Sequence, residues 1–254
     1  MRRRGLLLAA PLLMAAAWAR GQTALGVVGI FSLLGDSVQV SAATDAPTDT
    51  RIERTARESL QTQGIGFDQI ALRTARDQIQ RAYPASTAIV FRAPAPMTVA
   101  EQRAVAEGAA RAELPDWMVK TLEENKLTHL LLVTRSRGTI DAKTGNGHTI
   151  GRGTVEGIGF FMDTLYKMRN LSTGAVSTGL LAPYVNIRLT LMDTRTAEVV
   201  RSYEIKDSFA YASPAQTEQA DPWTFMAAAD KVRTLRGLVE KGMARGMEQL
   251  LGKP

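Results

Sequence analysis

The chain of 254 residues contains no cysteine and only two histidines, His129 and His148. Without cysteine there are no disulfides, and no residue can carry a lipid anchor behind an export signal. Two histidines with no thiol beside them fall short of a metal site. His129 enters an apolar strand, where a backbone partner is expected to satisfy it, and His148 reads as a loop residue. No GxxxxGK run followed by Ser or Thr is present, so the lysine that a P-loop brings to its phosphates is missing. The GxSxG nucleophile turn is absent as well. Beyond the first 19 residues, no apolar stretch reaches the length of a membrane-spanning helix. These absences point away from an enzyme, and no cofactor or metal is expected.

The amino terminus is more informative. Arg2, Arg3 and Arg4 precede an apolar run from Leu6 to Trp18, and Ala17-Trp18-Ala19 supplies small residues at the −3 and −1 positions. That is the pattern of a secretory signal peptide over residues 1–19, cut after Ala19. Loss of those three arginines takes the formal net charge from +6 to +3. A balance that weak, on an exported chain, makes nucleic acid an improbable partner. The expectation is a periplasmic or secreted protein whose residues 20–254 form one domain, large enough to bury a core without staples.

Hydrophobic periodicity outlines that domain. Val27 to Leu34 is a nearly continuous apolar run, punctuated by Gly35-Asp36, and Val38 and Val40 then alternate with polar residues. Two strands joined by a tight turn are expected. The polar stretch 44–64 is left open between a loop and a weak strand pair. Asp68 reads as the N-cap of a helix to about Ala82. Thr98 with Glu101 forms a capping box for a second helix, and Pro115 opens a third. A short strand over Thr87 to Phe91 lies before them. Leu130 to Val133 is apolar on both faces and predicts a central strand. In "YVNIRLTLMD" Val185, Ile187, Leu189 and Leu191 alternate with Asn186, Arg188 and Thr190, which predicts a strand with one solvated face. "DTRTAE" turns it back, and Pro222 opens a long helix to about Leu251. In that helix Gly242 and Gly246 allow close backbone approach. The class is α/β or α+β, a mixed sheet with helices packed on it and antiparallel terminal hairpins.

A buried first strand, helices, a Leu-rich central strand and a hairpin turning on "DTRTAEVV" together resemble a group of periplasmic α/β domains. These are the curli secretion channel protein, the penicillin-binding-protein activator lipoproteins and the amino-terminal domain of the Tol translocation protein. The resemblance covers the core strands, and it departs from the family in lacking the lipidated cysteine. It implies a scaffold that binds other envelope proteins.

Between the central strand and "YVNIRLTLMD" lies a glycine-rich insertion at about 138–182, including "GNGHTIGRGTVEGIGFF" at 145–161. Its glycines miss the GxGxxG spacing by one residue, and its alternation gives no clean apolar face for a bilayer. Phe160, Phe161, Met162, Leu165 and Tyr166 form an apolar cluster there, which either contacts a partner or folds back over the sheet. Arg135 and Arg137 leave the end of the central strand on one face, a common ligand position in open α/β sheets. With Lys143, His148 and Arg152 they form either an anion-binding patch or a solvated edge. Two functions stay open: a non-catalytic envelope protein that binds a partner through 138–182, and an anion- or ligand-binding module on Arg135, Arg137 and Arg152.

Overall fold

The computed structural model describes residues 24–43, 55–61, 64–107, 114–143, 149–169, 176–211 and 221–252. The signal peptide expected over 1–19 and His148 lie outside them. Strands β1 (Val27–Ser32), β2 (Ser37–Ala43) and β3 (Thr55–Gln61) come first, then helix α1 (Phe67–Ala82) and β4 (Thr87–Arg92). Helices α2 (Val99–Ala106) and α3 (Asp116–Glu124) follow, then β5 (His129–Arg135), β6 (Arg137–Lys143), β7 (Thr149–Glu156) and β8 (Ile158–Arg169). The chain closes with β9 (Val176–Asp193), β10 (Val199–Ser208), a 3₁₀ turn (Pro222–Phe225) and α4 (Ala228–Leu251). Among the described residues no helix is long and apolar enough to cross a membrane.

The organising element is β9, an 18-residue strand. One of its edges carries β10, antiparallel, over Tyr184 to Met192. Its other edge is shared: β8 pairs with Val176 to Val185, and β5 pairs with Ile187 to Asp193. β5 and β8 therefore lie end to end as one interrupted strand. The interruption is the β6–β7 hairpin, an arm that leaves after Ser136 and returns at Gly157. Asn186 of β9 joins the two halves, because its carbonyl accepts from Ser136 N (3.0 Å) and its N–H donates to Gly157 O (2.7 Å). Gly157 N closes the base of the arm on Ser136 O at 3.0 Å. Gly157 turns there at φ 66°, a conformation that disfavours a side chain.

β1 and β2 repeat this geometry in register. β1 runs parallel to β5 and β4, whereas β2 runs parallel to β8 and antiparallel to β3. The expected β1–β2 hairpin does not form. The chain bends at residues 33–36 and continues in the same direction, because side chains from elsewhere hold the bend open. Asp68 accepts from Ser32 Oγ (2.5 Å), Leu34 N (2.9 Å) and Gly35 N (3.1 Å). Asp68 thus sits inside the first turn of α1 rather than capping it, and the N-cap position is Gly66. The polar stretch left open in the sequence contributes β3.

Both sheet faces are covered. On one, α1 and α4 bury Val28, Ile30, Leu131, Val133, Phe160, Val185, Ile187, Leu189 and Ile205. Gly242 and Gly246 let α4 close on β10 and β9: a Cβ on Gly246 would lie 2.7 Å from Ile205 and 3.0 Å from Leu189. On the other face, α2 and α3 cover Phe31, Leu130, Leu132 and Met192. The arm covers Phe161, Leu180, Ala182 and Tyr184 with Ile140 and Val155. α2 begins with the expected capping box, Thr98 with Glu101. The polar row of β9 falls between these two apolar covers. Asn186 and Thr190 are buried and only Arg188 is half-exposed, so the row is a covered seam rather than the solvated face its alternation suggests. The result is an α/β fold: a mixed sheet with four helices packed on it and a small antiparallel two-stranded sheet.

Candidate functional site

Over that seam, α2 and the arm leave an open cleft of about 690 Å³. α2 forms one wall with Val99, Arg103, Ala104 and Glu107, and the arm forms the other with Arg137, Gly138, Thr139, Thr154 and Glu156. The floor is Thr134, Ser136 and Arg188, at the carboxyl end of β5. Strand alternation puts Ser136 in the row of Leu130, Leu132 and Thr134, which faces α2 and α3.

Charge in the cleft is organised as a chain of ion pairs. Arg103 Nε donates to Glu107 Oε1 at 2.9 Å, and Arg188 Nη1 reaches the same oxygen at 3.3 Å. Arg188 Nη2 then meets Glu204 at 2.7 Å, and Lys206 meets Glu204 at 2.6 Å. The hydrogen bond that Arg188 donates to Glu204, with the one it donates to Glu107, raises its basicity and keeps it charged. Lys206 and Arg188 hold the Glu204 carboxyl below the usual carboxylate range. Four arginines against two glutamates line the cleft, so its lining carries an excess of two positive charges. Arg137 and Glu156 face each other in register across the arm's base, yet neither has a hydrogen bond or ion pair from its side chain among the described residues. Ser136 is 7% exposed and its Oγ has no hydrogen-bond partner among the described residues.

The residues singled out in the sequence part company here. Arg135 is buried, and it does not share an exposed face with Arg137. Its Nε donates to Leu34 O at 2.6 Å and its Nη2 to Ser37 O at 2.6 Å. Asp68 and Arg135 thereby hold the β1–β2 bend from its amide and its carbonyl groups. Burial disfavours the charged form of Arg135, and Asp68 is the strongest of the groups opposing that effect. Arg137 is exposed on the cleft wall. Arg152 belongs to β7 and Tyr166 to β8, and Lys143 ends β6. Phe160 and Phe161 are buried at 1% and 2%, on opposite faces of β8, so neither is available as a surface contact. These two residues take neither of the fates considered for that cluster: they belong to a strand of the sheet, and Phe161 is itself covered by the arm. Arg103, Glu107, Ser136 and Arg188 went unnoticed as a group. Arg188 was visible as the one positive charge in an alternating strand, whereas Arg103 and Glu107 have the spacing of an ordinary i,i+4 pair.

His129 takes the backbone partner expected of it, with Nδ1 2.7 Å from Leu25 O. Among the described residues no group of three or more His, Cys, Asp or Glu side chains is placed to hold a metal ion.

No family model and no curated protein matches the chain. Among solved structures it is similar to a candidate neuraminyllactose-binding hemagglutinin homologue from Helicobacter pylori, with 8% identity and a TM-score of 0.44, over 90% of this chain and 87% of that one. It is also similar to a PelC dodecamer from Paraburkholderia phytofirmans, with 11% identity and a TM-score of 0.26, over 87% of this chain and 91% of that one. Neither is one of the envelope families named from the sequence. At this distance neither protein's role transfers to this chain.

Proposed function

We propose that this chain is an exported, non-catalytic binding protein of the cell envelope, and that the cleft between α2 and the β6–β7 arm is its contact surface. One observation carries the reading. The polar Asn186–Arg188–Thr190 seam of the sheet lies where the two apolar covers stop, and an open cleft stands above Arg188. The arm is the part of the 138–182 insertion that reaches out of the sheet; β8 and the first half of β9 are integral strands. Deleting 142–180 would therefore remove the sheet itself, and the arm has to be probed in place.

A photo-reactive residue at Thr139 on the arm, or at Ala104 on α2, tests the reading in the cell that makes the protein. Both positions are exposed. Adducts of one size from both, with none from Arg76 on the exposed side of α1, are expected. Adducts from Arg76 alone would refute it. The alternative of a small-anion or ligand module is favoured by the arginine excess, but its centre moves from Arg135 to Arg103, Arg137 and Arg188.

A further inference from the structure

We propose that the occupant of this cleft is an acidic peptide segment of the partner, whose carboxylate is received by Arg137 with the Ser136 hydroxyl beneath it. The inference rests on the contact-surface reading above and gives it a chemistry.

Three observations converge. First, Arg137 is a guanidinium on the wall with no pairing among the described residues, while Arg103 and Arg188 are already tied to Glu107 and Glu204. A planar fork that is free at the mouth matches a carboxylate through two parallel hydrogen bonds. Second, Ser136 Oγ is a buried polar atom on the cleft floor without a partner among the described residues. An unmet hydroxyl is costly, and a rotation about its χ1 would offer it to an oxygen seated against Arg137. Third, the cleft is shaped for a chain and not for a compact polyanion. It is partly open to solvent, a volume of about 690 Å³ far exceeds a single anion, and Glu107 and Glu156 stand among the arginines. Two fixed carboxylates repel a phosphate dianion more than a singly charged carboxylate, and Glu156 then suits a basic or amide neighbour on the same segment. Thr139, exposed on the arm wall, offers a hydroxyl to an extended backbone in the cleft.

The test uses the mature full chain and a fluorescent peptide of alternating glycine and glutamate, read by anisotropy at low and at raised salt. Saturable binding that weakens with salt is expected. Arg137→Ala should weaken it about tenfold, the value of one charge-assisted pair in a half-open site. Ser136→Ala should weaken it several-fold while leaving the melting temperature equal or higher, since it removes an unmet buried hydroxyl. A merely structural serine would not show that split. Arg76→Ala, remote on α1, should change nothing.

Four results overturn the proposal. Equal affinity in wild type and Arg137→Ala removes Arg137 from the site. Inorganic phosphate binding with the same Arg137 dependence, while the peptide fails, assigns the site to a phosphate group. Absent peptide binding with the Thr139 and Ala104 adducts still present refutes the acidic segment and leaves the contact surface standing. Loss of both the adducts and the peptide refutes the contact surface as well.

Discussion

Replacing Arg135 by alanine separates a ligand-binding arginine from a structural one. The guanidinium is 6% exposed and makes two hydrogen bonds of 2.6 Å to Leu34 O and Ser37 O, either side of the β1–β2 bend. Hydrogen bonds from a charged donor are worth about 1.5–3 kcal/mol each in net terms. Relief of the guanidinium's own desolvation offsets part of that sum, while the two carbonyls are left without their charged donor. The net loss expected for Arg135→Ala is about 3 kcal/mol. For a chain of this size each kcal/mol moves the melting temperature by about 2–4 °C, so the midpoint should fall by roughly 10 °C. Urea unfolding followed by circular dichroism gives the free energy directly, and an unchanged slope would show that the unfolded state is not the source. Arg135→Lys should fall between, because a single ammonium cannot reach both carbonyls with the geometry of the fork. A loss below about 1 kcal/mol would refute the bend-holding role.

Two further predictions concern stability alone. In α4, Gly237→Ala should stabilise by about 0.5–1 kcal/mol, since nothing lies within 4 Å of the added Cβ. Gly246→Val should cost about 2–3 kcal/mol by forcing the helix off Ile205 and Leu189; paired thermal melts compare them, and equal effects would refute the close approach. Desolvation, set against hydrogen bonds from Ser32, Leu34 and Gly35, raises the Asp68 pKa above its ordinary value. The folded state therefore takes up this proton more readily than the unfolded one. Its contribution to stability is full below the ordinary carboxylate value and is lost as pH rises through the raised one. The difference in stability between wild type and Asp68→Asn, titrated from acid to neutral pH, should shrink upward across that window; a difference independent of pH would contradict the raised value.

Much of the scaffold was legible because it rests on local physics. The two-sided apolar run of β5, the capping box at Thr98 and Glu101, and the buried stripe of α4 all follow from periodicity and end chemistry within a few turns. The β1–β2 hairpin was misread for a reason of the same kind. Gly35-Asp36 between two apolar strands is good turn chemistry, and what opens it lies 34 and 101 positions away, in Asp68 and Arg135. β9 shows both sides of the rule. Its period of two was plain, but the identity of what covers Asn186 and Thr190 depends on α2 and the arm, which no alternation in β9 encodes. Of the two arginines expected at that strand end, Arg137 stands on the cleft wall and Arg135 is held against the bend. A guanidinium after an apolar strand looks the same whether it meets solvent or a buried carbonyl, and only the bend decides.

The seam at Asn186 has a consequence for what the chain tolerates. One peptide unit of β9 bonds to the residue before the arm and to the residue after it, so β5 and β8 stay aligned whatever is spliced between positions 136 and 157. The fold behaves there as a socket. Its register is guaranteed from one side by β9, and the segment plugged into it can change length or recognition chemistry while the strands beneath keep their pairing. For engineering, a foreign hairpin or binding loop can be grafted here when it keeps Ile140 and Val155, which cover Phe161, Leu180, Ala182 and Tyr184.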